Sequence, residues 1–299
     1  MIVMTGASEM KKRIMLIVSY DGTNYAGWQI QDNAVTVEGC LQEALDRLVC
    51  RVMDKKSDNK ANNDIEKLSV SVIKDGVELN RIIGASRTDS GVHAMGNVAV
   101  FDTMMPIPAE KYAYALNAEL PDDIRVVSSC EVGEDFHPRY TDSHKTYEYR
   151  ILNTDIEIPL YSRYTHHVYD RLDLDEMREA AKMIVGEHDF SAFCSAGAQV
   201  KTKVRNVEKL EIEHMSDGAF LSSDKNDNPG IITIRVTGNG FLYNMVRIIA
   251  GTLIEVGQHR RTTGSVAEAI ESKDRALAGP TAPAKGLTLV KIRYDNLYK

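Results

Sequence analysis

The chain reads as a mixed α/β protein, α+β in the order of its elements. It is expected to form two similar halves, each with an antiparallel or mixed sheet flanked by helices, around a cleft. Three observations predict this. Short runs rich in β-branched residues recur between stretches whose apolar residues fall at helical spacing. The order of strand, helix and strand seen before residue 135 partly returns after it. A length of 299 residues suits one large domain or two ordinary ones.

The elements follow in order. Lys12 to Tyr20 alternates and is rich in Ile and Val, which predicts a strand closed by the turn Asp21-Gly22-Thr23-Asn24. Thr36 can cap a helix whose stripe is Val37, Leu41, Ala44, Leu45 and Leu48, with Glu38 favourable in the first turn. Asp54 to Asp64 is polar and reads as a mobile loop. Leu68 to Ile73 and Val77 to Ile83 flank the hairpin signal Lys74-Asp75-Gly76. Pro108 opens a helix ending near Leu120-Pro121.

A composition shift around Gly133 to Arg139 sets the expected division. Residues 1–11 are a flexible N-terminus, 12–135 the first half with a polar extension at 54–78, and 136–299 the second. In the second half, strands are expected at Thr146 to Leu152, Val207 to Glu213, Ile231 to Val236 and Leu287 to Tyr294. A helix spans Leu174 to Val185, with Asp173 and Glu176 as a capping box and Gly186 at its end. Leu242, Met245, Val246, Ile249, Leu253 and Val256 form the strongest helical stripe. Ser265 with Glu268 opens a further short helix.

Bulk properties narrow the class. Hydrophobic residues make up 43% and charged residues 26%, as in ordinary globular proteins. No run approaches the roughly 18 apolar residues of a membrane span. The first ten residues lack the apolar core of a secretory signal, so a cytoplasmic location is expected. Cys40, Cys50, Cys130 and Cys194 are scattered without a Cys-x-x-Cys pair, and read as buried free thiols rather than zinc ligands or a redox motif. His166 and His167 are strand neighbours pointing to opposite faces, which argues against a shared metal. No nucleotide-binding glycine motif is present. The formal net charge of −7 argues weakly against nucleic acid, yet basic residues recur at Arg81, Arg87, Arg139 to Arg150 and Lys201 to Arg205. A basic cleft within an acidic shell fits both facts.

The segment Gly84-Ala85-Ser86-Arg87-Thr88-Asp89-Ser90-Gly91-Val92-His93-Ala94 carries the most chemistry. Arg81-Ile82-Ile83 runs in and Asn97-Val98-Ala99-Val100-Phe101 leaves, so a carboxylate and a guanidinium are presented at a turn between strands. A nearby arginine would keep Asp89 ionised even when shielded from water. Taken alone, such an ion pair on a turn is ordinary, Tyr147 on the face of Tyr149 and Ile151 reads as core, and Arg247 outside the apolar stripe reads as solvated.

Longer matches change that weighting. Residues 84–94 resemble the catalytic-aspartate motif of the tRNA pseudouridine synthase A (TruA) family. Tyr20-Asp21-Gly22-Thr23-Asn24-Tyr25-Ala26-Gly27-Trp28-Gln29 is similar to its opening motif, and Lys145-Thr146-Tyr147-Glu148-Tyr149-Arg150 to its paired-tyrosine strand. Phe241 to Arg247, continuing from Gly251 to Gly257, is similar to its late helix. Asn117 to Pro121, Asp135 to Arg139 and Ala282 to Leu287 also fit. Ser86 and Ser90 stand where the family usually has glycine and alanine, and Asp54 to Glu78 is longer than usual.

The resemblance implies the pseudouridine synthase fold with a central RNA-binding cleft, working as a homodimer without cofactor or metal. It implies isomerisation of uridine to pseudouridine in the tRNA anticodon stem-loop, at positions 38–40, with Asp89 as nucleophile. Tyr147 then lies against the target base, and Arg247 or Arg87 supplies positive charge beside the aspartate. Tyr25, Trp28 and Gln29 belong to a substrate loop. His93, Lys145, Arg150, Lys201, Lys203, Arg205 and Asn244 are candidates for RNA contacts. Other readings are a non-catalytic RNA-binding paralogue, a synthase paralogue with a shifted RNA target, and a carboxylate-dependent glycosyl hydrolase, the last requiring a second carboxylate about 5–10 Å from the first.

Overall fold

The computed structural model describes residues 11–57, 73–74, 77–197, 200–215 and 230–295. The chain forms two compact units, residues 1–88 with 96–141, and 89–95 with 142–299. The division thus falls after Thr141 rather than at 135, and the segment Asp89–Met95 groups with the second unit rather than the first. Strand pairing explains this: His93 and Ala94 lie in register with Thr288 and Leu289 near the chain's end.

In the first unit, β1 (Lys12–Tyr20) leads through a 3-10 turn at Gly22–Asn24 to α1 (Val37–Ser57). Asp21 closes that turn by accepting from the Thr23 amide and hydroxyl. Thr36 accepts from the Gly39 amide at 3.3 Å, and the whole stripe from Val37 to Leu48 is buried. The helix runs to Ser57, through the start of the expected loop. The rest of that loop, the N-terminus through Met10, and Leu68 to Val72 lie outside the described residues. β2 (Ile73–Lys74) and β3 (Val77–Glu78) pair antiparallel as the hairpin signal implies.

β4 (Ile83–Gly84) pairs antiparallel with β5 (His93–Thr103), giving the expected strand, turn and strand. The Pro108 segment is a 3-10 turn followed by a short α2 (Tyr112–Asn117). β6 (Ile124–Val132) was hidden in sequence by its acidic surroundings, and pairs antiparallel with β1. A bidentate ion pair between Arg13 and Asp102, at 2.8 and 2.7 Å, crosses the strands β1 and β5.

The second unit is built on β7 (Ser143–Asn153). β8 (His166–Val168) runs parallel beside it, followed by α3 (Leu174–Lys182) and β9 (Gly186–Asp189). β10 (Val204–Met215) and β11 (Gly230–Gly238) precede α4 (Met245–Gly257), α5 (Ser265–Ser272) and β12 (Leu287–Tyr294). The sheet order from the start of β5 is β5, β12, β7, β11, β10, β9, antiparallel except where β12 meets β5.

Three local expectations differ. Asp173 accepts from the amides of Asp175 and Glu176, but Glu176 turns to the Thr263 hydroxyl, so the box is half made. Gly186 does not end α3; with φ +117 it opens β9. α5 has no side-chain cap, because its N-cap residue is Gly264; Ser265 is the first helical residue and donates back to the Thr262 carbonyl at 2.7 Å. The apolar stripe of α4 is buried in full, including Leu242 just before it. All four cysteines are free, but only Cys194 is buried; Cys50 and Cys130 are exposed.

Candidate active site

The geometry around Asp89 starts from its turn. The Val92 amide donates to the Asp89 carbonyl at 3.1 Å, with Gly91 at φ +75 in the third position. That backbone conformation favours glycine, and a Cβ there would also meet Ala284 at 3.3 Å. The turn delivers the chain into β5, whose His93 ring packs edge-on against Tyr164 at 5.0 Å.

Arg247 meets the carboxylate from the first turn of α4. Its Nη1 lies 3.4 Å from Asp89 Oδ2, with side-chain exposures of 17% and 24% for the pair. Two further acceptors fix the guanidinium: Nη1 donates to Asn244 Oδ1 and Nε to the Ala282 carbonyl, both at 2.8 Å. The Ala282 amide returns a bond to the Arg247 carbonyl at 3.1 Å. Gly251, one turn on, lets residues 280–282 pass, since a Cβ would sit 2.0 Å from the Pro280 carbonyl oxygen. Gly251 therefore admits the strap that holds Arg247.

Burial dominates the electrostatics of Asp89. Desolvation pushes its carboxyl above the ordinary aspartate range, and the Arg247 charge and hydrogen bond pull back without cancelling it. Of the two arginines expected to supply charge, Arg247 is the one engaged. Arg87 is exposed.

Tyr147 lies in the same unit, on the face of β7 with Tyr149 and Ile151. It is only 7% exposed, and its ring stands edge-on to Phe241 at 5.3 Å. Tyr149 is fully buried, donates to the Pro283 carbonyl at 3.0 Å, and is pushed far up by desolvation. On the opposite face Glu148 is buried between Arg150 and Arg235. Burial raises its carboxyl, but the hydrogen bonds from Arg235 and Arg150 outweigh this and hold it below the usual range. Arg150 pairs with Glu148 while its own side chain stays 41% exposed.

The remaining candidates divide. Trp28, 1% exposed, lies under Gly84 in the core of the first unit, where a Cβ would come within 2.1 Å of its Nε1. It stands in the core in this structure. Tyr25 is buried and donates to Asp123, whereas Gln29 is exposed. Lys145 is half-buried and Lys201 and Lys203 are exposed. Arg205 donates to the carbonyls of Thr202 and Val204 at 3.0 and 2.6 Å, and burial lowers its basicity. Asn244 is engaged with Arg247 and with Ser195, a residue that no local pattern singled out.

A half-buried aspartate on a tight turn, faced by a tethered arginine, has the chemistry to serve as a nucleophile or base. Comparison with known proteins gives it a family. The sequence model of the family described as tRNA pseudouridine synthase matches residues 16–141 and 180–295. The chain is 43% identical over 283 residues to tRNA pseudouridine synthase A of Thermoanaerobacter sp. (strain X514), covering 95% of this chain and 100% of the relative. It is 41% identical over 288 residues to tRNA pseudouridine synthase A 2 of Clostridium tetani (strain Massachusetts / E88), covering 96% and 100%. The protein of Bacillus pumilus (strain SAFR-032), also tRNA pseudouridine synthase A, is 40% identical over 285 residues, covering 95% and 100%. The chain belongs to the tRNA pseudouridine synthase family, and is an isomerase that converts uridine to pseudouridine in tRNA. Among the described residues, no helix is long and apolar enough to cross a membrane.

Proposed function

We propose that the enzyme isomerises uridine on the 3′ side of the tRNA anticodon stem, at positions 38–40, with Asp89 as nucleophile. The observation that carries the chemistry is the half-buried Asp89 carboxylate faced by Arg247. The position within tRNA rests on the likeness to synthase A proteins over nearly the whole chain.

The reaction breaks the C1′–N1 bond, turns the uracil and joins C1′ to C5. It needs no net redox change. The carboxylate begins it either by attacking a carbon of the nucleotide or by acting at the sugar to promote elimination. Both routes need an ionised, desolvated aspartate. Burial makes the Asp89 carboxylate more basic than an exposed one, and Arg247 favours its ionised form. Tyr147 stacks on the flipped base at roughly 1–3 kcal/mol and assists removal of the C5 proton. Extrusion of the paired uridine costs a few kcal/mol.

Gln29, His93, Lys145, Lys203 and Arg205 remain the proposed RNA contacts, while Arg87 is an exposed charge available to phosphate. Homodimer assembly and work in the cytoplasm, where tRNA is processed, complete the proposal. A hydrolase reading is disfavoured by membership of the tRNA pseudouridine synthase family.

Mapping of pseudouridine by carbodiimide-dependent reverse-transcription stops, on tRNA incubated with the enzyme, tests the position. Stops confined to positions 38–40 of the anticodon stem-loop are expected. Product elsewhere in tRNA would refute the assignment.

A further inference from the structure

Asn244 occupies a position where its chemistry is unusual. It precedes α4 as the N-cap residue in a left-handed conformation, with φ 60 and ψ 7. An asparagine there ordinarily uses its side-chain oxygen to accept from an amide of the first helical turn. Here it makes no such cap. Oδ1 instead accepts from Arg247 Nη1 at 2.8 Å, and Nδ2 donates to Ser195 Oγ at 2.9 Å. A guanidinium only donates, so the amide oxygen must face Arg247 and the amide nitrogen must face the hydroxyl. Ser195 is in turn held to the residue before Asn244, because its amide donates to the Tyr243 carbonyl at 3.1 Å.

We propose that Ser195 is a positioning residue for the reaction, holding Arg247 against Asp89 through the side chain of Asn244. The proposal rests on Asp89 being the reacting carboxylate. It moves Asn244 from the group that touches RNA to the group that orients the arginine. Two anchors define the guanidinium plane, the Ala282 carbonyl on Nε and the Asn244 amide on Nη1. The strap anchor is backbone and holds one edge. The asparagine anchor is a side chain with two rotatable bonds, and the Ser195 hydroxyl holds the end of its amide away from Arg247. The charged group acting on Asp89 is Arg247, and Tyr149 of β7 faces the same guanidinium from the sheet.

The test uses the full-length enzyme with tRNA and four variants. Ser195→Ala removes the hydroxyl and Ser195→Thr retains it. Asn244→Gly keeps the left-handed backbone without strain while removing both side-chain bonds. Asp89→Asn removes the reacting carboxylate. Ser195→Ala and Asn244→Gly are expected to lower kcat several-fold, leave the KM for tRNA unchanged, and move the acid limb of the pH profile upward as Arg247 loses its hold. Ser195→Thr is expected to recover both parameters. Wild-type kcat and pH profile in Ser195→Ala and Asn244→Gly, with Asp89→Asn inactive, overturns the tether alone. Reduced kcat with an unmoved acid limb and a lowered Tm marks a purely structural role and overturns it as well. Retained turnover in Asp89→Asn removes the reading beneath it, and both fall together.

Discussion

At the scale of single residues, Asp89 shows a conflict between stability and chemistry. Its carboxyl is raised by desolvation, with Arg247 opposing. The native state therefore holds the Asp89 proton to higher pH than the unfolded chain, whose aspartates titrate at about 3.9. In that window the native state binds more protons, so this group's contribution to stability rises as pH falls. Above it, the ionised carboxylate costs stability. Asp89→Asn is accordingly expected to melt at or above the wild-type temperature at neutral pH, with the difference shrinking as pH falls through the raised native value. A clear loss of Tm at neutral pH would show that the carboxylate stabilises the turn. With Asp89 as the proposed nucleophile, the acid limb of kcat/KM is expected above the pH at which an exposed aspartate titrates. Glu148 has the opposite sign: its carboxyl is held low, so its stabilisation is present at neutral pH and lost as pH falls through the native value.

At the scale of elements, the site depends on where α4 meets the 280–283 strap. Gly→Ala within a helix ordinarily stabilises by about 0.8–1 kcal/mol. At Gly251 the new Cβ would lie 2.0 Å from the Pro280 carbonyl oxygen, a backbone atom that cannot step aside cheaply. The sign should reverse, with a loss of roughly 1–3 kcal/mol from overpacking and a Tm lower by several degrees. Unchanged Tm would mean that the strap yields without cost. The α4 stripe was legible in sequence because burial on one helical face repeats at fixed spacing. Short β8 and β9 were not, since three or four residues carry too little periodicity. Nor was the Ser195–Asn244 bond, which joins residues 49 apart in sequence. The caps misled in part: Glu176 and Ser265 found other partners, and local pattern cannot rank those against the expected ones.

At the scale of the whole molecule, a net charge of −7 must coexist with binding of a polyanion. Binding then depends on local clusters, and salt reports on them. Removing one cation that neutralises a phosphate should reduce the slope of log K against log salt by about 0.9 on duplex RNA, taking the B-DNA coefficient as a guide. Replacing Lys203 and Arg205 with alanine is expected to weaken tRNA binding uniformly across sequences and to flatten that slope. An unaltered slope would remove both from the interface. The mixed α/β class and the nearness of Arg247 to Asp89 were readable from residue order and motif resemblance. The membership of Asp89–Met95 in the second unit was not, because it follows from pairing with a strand almost two hundred residues later. The packing of Trp28 was hidden for a related reason: a turn aromatic does not show in sequence that Gly84 lies against its ring.

The central claim is that Asp89 carries uridine isomerisation, and its most direct test is tritium release from [5-³H]uridine-labelled tRNA by the wild-type enzyme and Asp89→Asn. Release by wild type alone, with tRNA binding preserved in the variant, is expected. Comparable release by Asp89→Asn would contradict the claim.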